Sequence, residues 1–283
     1  MQVSNINETV KLKNGVEMPY LGLGVYKAQD GEEVINSVSH ALSSGYRLID
    51  TASFYGNEEG VGEAIRNSDV PRDEIFVTTK IWIDDQERGS VRKAFETSLD
   101  KLGLEYIDLY LIHWPVPGKY LEVWKVLQTL YKEGKVKAIG VSNCLVHHLE
   151  SFKELGGIQP MLVQNEFHPK LVQQKLLDYC ELNNIQYQAW SPLMRGRILD
   201  NQLLKGLASR YGKTPAQVVL RWALQKGVAI IPKSVHKERI VENSEIFDFQ
   251  LTADEVKAID TLNDDTRTGA HPDNFMEHFR KKA

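Results

Sequence analysis

The chain has 283 residues, 42% of them hydrophobic and 25% charged, which supplies a sizeable core and excludes disorder on a large scale. A formal net charge of -4 lacks the basic excess that nucleic acid or an acidic membrane surface demands, so neither is expected as a partner. No apolar run approaches the roughly 20 residues that span a bilayer, and the start has no basic-then-apolar secretory pattern, so a soluble cytoplasmic protein is expected.

In chain order, "VKLKNGVEMP" alternates apolar and polar residues around Asn14-Gly15, a dipeptide suited to positive φ in a tight turn, and predicts an N-terminal β-hairpin. Eight short apolar runs follow, near Leu21, Leu48, Val77, Leu109, Ile139, Val163, Ala189 and Ile230. Most are separated by segments of helical period. In Ser90–Gly103, Val91, Phe95, Leu99 and Leu102 share one face before a Gly stop. Thr214 and Pro215 open another helix, which Gly227 follows. Strand and helix alternating at about thirty-residue spacing predict parallel strands with right-handed crossovers. Eight such units suggest a closed (β/α)8 TIM barrel spanning 1–283 as a single domain, with an open doubly wound sheet as the alternative. Cys144 and Cys180 are too few for a disulfide scaffold and lack metal-ligand spacing, so free thiols in a reducing compartment are expected.

In such barrels the C-terminal strand ends and the loops after them form the active site. The second run ends in Asp50 with Tyr55 in the next loop, the third in Lys80, the fourth in His113. The fifth ends in Ser142-Asn143, the sixth carries Gln164, the seventh ends in Trp190-Ser191 and the eighth in Lys233-Ser234. Any one of these residues has an ordinary reading as a helix cap or a packed ring. Asp, Tyr, Lys and His on three consecutive strand exits are harder to assign to packing.

The stretches "DTASFYGNEEGVG", "TTKIW", "LIHWP", "GVSN", "WSPL" and "IPKSVHKERIVEN", in this order over nearly the whole chain, resemble the aldo-keto reductase superfamily. The likeness is greatest to its microbial branch of glyoxal and methylglyoxal reductases, 2,5-diketo-gluconate reductases and protozoan prostaglandin F synthases. It implies NADPH-dependent reduction of small carbonyls by a monomer. Tyr55 would be the general acid, Lys80 the group that tunes it, Asp50 the partner that keeps Lys80 charged, and His113 a neutral donor orienting the carbonyl. A free phenol has a pKa near 10, so Lys80 is expected to lower that of Tyr55. Tyr26, Trp82 and Trp114 would wall the substrate pocket, which short loops after His113 and Leu193 predict to be open and shallow.

For the cofactor, GxGxxG is absent, which counts against an ordinary dinucleotide-binding sheet. The resemblance instead places the nicotinamide carboxamide on Ser142, Asn143 and Gln164, and its ring on Trp190. The pyrophosphate would lie along Ser191, Pro192 and Leu193. The 2'-phosphate would fall to Lys233, Ser234, Val235 and Arg239, and the adenine to Glu242 and Asn243. Two rival classes remain. One is an NADPH-binding regulatory or structural protein of the same fold. The other is a barrel hydrolase, which would need paired carboxylates or metal ligands. No metal is expected, because His147 and His148 are adjacent and should diverge on a helix.

Overall fold

The structure, a computed structural model, describes residues 3–280. Strands β1 (Thr9–Lys11) and β2 (Glu17–Pro19) pair antiparallel as the predicted hairpin. Its loop closes with Leu12 N–H donating to Val16 O at 2.8 Å and Gly15 N–H to Leu12 O at 2.8 Å. Positive φ falls on Gly15 alone, at 90°, because the loop has three residues between Leu12 and Val16, not two. Asn14 works through its side chain instead, which accepts from Val16 N–H and donates to Lys137 O at 2.9 Å. That bond holds the hairpin beneath the start of a barrel strand, and buried Met18 reaches Gln188 inside the barrel.

Eight parallel strands follow: β3 (Leu23–Gly24), β4 (Leu48–Asp50), β5 (Phe76–Ile81), β6 (Ile107–Ile112), β7 (Val136–Ser142), β8 (Leu162–Glu166), β9 (Gln186–Trp190) and β10 (Ala229–Ile230). Each coincides with one of the apolar runs. Every residue of β5 and β6 is buried, as expected where helices cover the outside and side chains fill the inside. Among the helices, Val91–Leu102 ends at Gly103 with φ 60°. Pro215–Gln225 starts in a reciprocal cap between Thr214 and Gln217. Among the described residues no helix is long and apolar enough to cross a membrane.

The sheet closes on itself, which removes the open-sheet alternative. Gly22 N–H donates to Ile230 O at 2.9 Å, Ile230 N–H to Tyr20 O at 2.8 Å, and Gly24 N–H to Pro232 O at 3.1 Å. These bonds join the first strand to the last. Gly24 is required at this seam, since a Cβ there would lie 2.8 Å from Ile231 O. Register then decides which side chains meet. Asp50 pairs with Thr78, and Lys80, two residues on, points to the same side of β5 one pleat nearer the C-terminal rim.

Substituting Gly24→Val should destabilise the fold by about 1–3 kcal/mol, the usual cost of forced overpacking. Equilibrium urea unfolding checks this, and an unchanged midpoint would contradict so tight a seam.

Candidate active site

Lys80 Nζ is the centre of the rim. It donates to Asp50 Oδ1 at 2.6 Å, to Thr51 O at 2.8 Å and to Tyr55 Oη at 3.4 Å. Asp50 and Lys80 are almost completely shielded from solvent. The second Asp50 oxygen accepts from Gln164 Nε2 at 2.7 Å, and the same nitrogen lies 2.8 Å from Gln188 Oε1. Gln164 therefore anchors Asp50 in addition to any contact with a cofactor.

Tyr55 stands on a single 3-10 turn, Ser53–Tyr55, that Gly56 ends with φ 66°. The turn is tied down on both flanks. Ser53 Oγ donates to Lys80 O at 2.9 Å, and Thr51 Oγ1 to Asn57 Oδ1 at 2.7 Å. Asn57 is buried and spends its Nδ2 on Val25 O and Ala28 O, both at 3.0 Å, so it staples the loop without capping the helix Glu58–Arg66 behind it. Glu58, also buried, accepts from Thr79 Oγ1 at 2.6 Å. The ring of His113 meets that of Tyr55 edge-on at 5.6 Å.

Charge at this rim is governed by burial. Desolvation pushes Lys80 below its ordinary value, opposed by the charges of Asp50 and then Glu58. Desolvation pushes Asp50 up, opposed by Lys80 and Gln164. Tyr55 is pushed well up, first by desolvation and then by the negative charge of Asp50. The expected lowering by Lys80 is thus not the net direction, because burial dominates and Lys80 arrives with a carboxylate 2.6 Å away that offsets its field. His113 is held well below its ordinary range, first by burial and then by Lys80, and so is neutral at neutral pH, as its expected role requires. Its Nδ1 is buried with no hydrogen-bond partner among the described residues.

A second polar group continues along the rim. Asn143, at φ 56°, donates to His113 O at 2.8 Å and to Ser142 Oγ at 3.1 Å, and its Oδ1 accepts from Trp190 Nε1 at 3.0 Å. Ser142 Oγ donates to Gln164 O at 2.7 Å. Beyond Trp190 the chain is strained, with Ser191 at φ 55°, Met194 at 50° and Arg195 at 57°. Non-glycine residues in this region cost about 1 kcal/mol or more each, and such strain gathers at ligand clamps. Pro192 and Leu193 lie within this loop.

Lys233, Ser234 and Val235 follow β10, and Arg239, Glu242 and Asn243 lie on the helix Lys237–Ser244. Lys233 and Arg239 are exposed, whereas Ser234 and Asn243 are buried. The Glu242 carboxylate accepts from Thr214 Oγ1 at 2.6 Å, which ties it to the neighbouring helix.

Of the expected pocket walls, Tyr26 is 39% exposed with its ring 4.9 Å from that of Tyr55, and Trp82 meets His113 edge-on at 5.0 Å. Trp114 is buried, stacked at 5.0 Å on Phe275. The surface nearer solvent comes from Phe54, 42% exposed and stacked on Trp82 at 3.7 Å, with Phe279 edge-on to both. Sequence reasoning assigned none of Phe54, Phe275 and Phe279 to the pocket wall. The first adjoins Tyr55, and the others share a face at i, i+4 of the helix Phe275–Arg280.

The segment that brings them is moored by Glu166, at the end of β8. Its carboxylate accepts from Thr268 N–H at 2.5 Å, from Gly269 N–H at 3.2 Å and from the Thr268 hydroxyl, with His168 Nε2 at 3.1 Å. Gly269 is pressed on Trp190, where a Cβ would come within 2.5 Å of the indole.

The model of the Aldo/keto reductase family matches residues 20–264. The chain is 52% identical to the glyoxal reductase of Bacillus subtilis (strain 168) over 273 residues, covering 96% of this chain and 99% of that protein. It is 48% identical to methylglyoxal reductase DkgA of Escherichia coli (strain K12), covering 94% and 97%. Among solved structures, a Gox0644 mutant in complex with NADPH superposes with a TM-score of 0.89 at 42% identity, covering 94% of this chain and 97% of that one.

NMR titration of the His113 ring at pH 6 should show the neutral form, where an ordinary histidine with a pKa near ~6.5 is mostly protonated. Because the unfolded chain takes up a proton that the folded site refuses, His113 contributes stability above about pH 6.5 that is lost as pH falls. A His113 that titrates normally would contradict the burial described.

Proposed function

This chain belongs to the aldo/keto reductase family, and on that premise we propose that it reduces small aldehydes and ketones, such as glyoxal or methylglyoxal, to alcohols, with Tyr55 as the proton donor. It is an NADP-dependent oxidoreductase. The observation that carries the proposal is the triple contact of Lys80 Nζ with Asp50, Thr51 and Tyr55.

NADPH, when bound, supplies the hydride that no side chain can. The residues fit it. Asn143 fixes the edge of Trp190, leaving a half-buried indole in a set orientation. The strained loop after it carries Ser191, Pro192 and Leu193, to which the pyrophosphate is assigned, and Lys233 and Arg239 offer cations beside the start of a helix, where an anion is favoured. Ser142, Gln164, Ser234, Val235, Glu242 and Asn243 complete the assignment.

Tyr55 remains protonated at neutral pH, which suits an acid. As its proton leaves toward a carbonyl oxygen, negative charge develops at Oη, 3.4 Å from the ammonium of Lys80. A unit charge pair near 4 Å at intermediate dielectric interacts by about 4 kcal/mol. That attraction offsets part of the cost that burial and the charge of Asp50 place on the phenolate as it forms. Asp50 holds Lys80 charged without meeting substrate, and neutral His113 orients the carbonyl by a ring hydrogen bond. Tyr26, Trp82 and Phe54 would give the carbonyl an apolar surround, with Trp114 packed behind them against Phe275.

The Tyr55→Phe variant should bind NADPH with near-normal affinity and reduce carbonyls about 100-fold more slowly or worse, as cofactor absorbance will report. Retained reduction would sink the assignment of Tyr55. Cofactor binding without consumption in the unaltered protein, across a panel of aldehydes, would favour the non-enzymatic reading. We also expect kcat/KM for methylglyoxal to exceed that for a bulky steroid ketone, and comparable values would contradict the preference for small carbonyls.

A further inference from the structure

His147 and His148 are the second and third residues of the helix Val146–Leu155. Neighbours on a helix point about 100° apart, yet these rings stand only 4.0 Å apart between centroids, contrary to the expected divergence. The reason is local. His148 folds back so that its Nδ1 accepts from Leu145 N–H at 3.1 Å, which turns its other nitrogen toward the segment after residue 270. Both Nε2 atoms face one carboxylate oxygen: Asp273 Oδ1 lies 3.1 Å from His147 and 3.8 Å from His148. His271 stands on the other side of that carboxylate, with Nδ1 3.8 Å from Asp273 Oδ2.

We propose that His147, His148 and Asp273 form a divalent transition-metal site that fastens the segment bearing Phe275 and Phe279 to the barrel. The three donor atoms all lie within 4.8 Å of one another. Donors on a tetrahedral zinc ion at about 2.0–2.1 Å stand roughly 3.4 Å apart, and the two distances to Asp273 bracket that spacing. Imidazole with carboxylate suits zinc and its neighbours, whereas magnesium prefers an all-oxygen shell.

The site is half built. The His148 side chain is only 9% exposed, and the edge of its ring meets Tyr120 at 5.6 Å, so one ligand is fixed in place. His147 and Asp273 are exposed enough to admit an ion. Neutral His148 carries its proton on Nε2, because Nδ1 is an acceptor. Ligation moves that proton to Nδ1 and releases Leu145 N–H, a small loss beside a metal–nitrogen bond. The segment matters because Phe275 stacks on Trp114 and Phe279 meets Trp82 edge-on at 5.0 Å. An ion on Asp273 would pin both rings over the rim.

The test uses untagged full-length protein and Zn2+ alone, titrated in competition with a chromophoric chelator and followed by hydrogen exchange. We expect one ion per chain and slower amide exchange in residues 270–280. Asp273→Asn and His147→Gln, both exposed positions outside the catalytic group, should each weaken binding no less than the 10- to 100-fold typical of losing an outer-shell partner. Each should also abolish the slowing. Mg2+ should leave exchange unchanged. The proposal is overturned if Zn2+ does not bind at one equivalent, if binding survives both substitutions undiminished, or if it binds without slowing exchange in that segment.

Discussion

The whole rim hangs on the contact between Lys80 and Asp50, 2.6 Å apart and shut away from water. Two charges in such a place are costly to bury, and removing either one typically costs about 3–5 kcal/mol, because the other is left uncompensated. The pair therefore constrains everything near it. Thr51 O must turn inward to take a second Lys80 proton, and Gln164 must cross from β8 to take the second Asp50 oxygen. Gln188 must in turn hold Gln164. Strands β4, β5, β8 and β9 are thereby linked through the barrel interior by polar bonds as well as by their ladders.

A second constraint comes from outside the barrel. Glu166 gathers Thr268 and Gly269, and the helix after them lays Phe275 and Phe279 against Trp114 and Trp82. The aromatic wall is thus assembled from chain segments far apart in sequence, and its inner half is rigid stacking. Its outer half, Phe54 and Tyr26, stays partly exposed. Polar bonds fix the inner rim, while the borrowed rings shape the space above it.

Much of this was legible in residue order because strand ends and active-site rims coincide in a parallel barrel. Asp50, Lys80 and His113 are the terminal ionisable residues of runs that are mostly apolar, and that contrast is a local signal. So is the cap at Thr214, where spacing and chemistry agree. What escaped was set by distance and by geometry. Gln164 reads as a cofactor ligand in sequence, and only the fold shows its nitrogen spent on Asp50. The upward push on Tyr55 depends on how Asp50 and burial combine, which residue identity does not state. Positive φ at Ser191, Met194 and Arg195 has no compositional mark, since none is glycine. The convergence of His147 and His148 turns on a side chain folding back onto Leu145, against the helix periodicity that predicted divergence.

The seam between β3 and β10 orders events during synthesis. Its bonds join Tyr20, Gly22 and Gly24 to residues 230–232, so the cylinder cannot close until nearly the whole barrel has left the ribosome. Asp50, Tyr55, Lys80 and His113 all emerge in the first half of the chain, and the residues assigned to the cofactor in the second. Until that last strand arrives, β3 presents an open edge able to pair with another chain. Loop closure over so long a span is slow. A nascent molecule is therefore most prone to aggregate just before it becomes able to hold the cofactor, whose proposed phosphate site at Lys233 lies against that same edge.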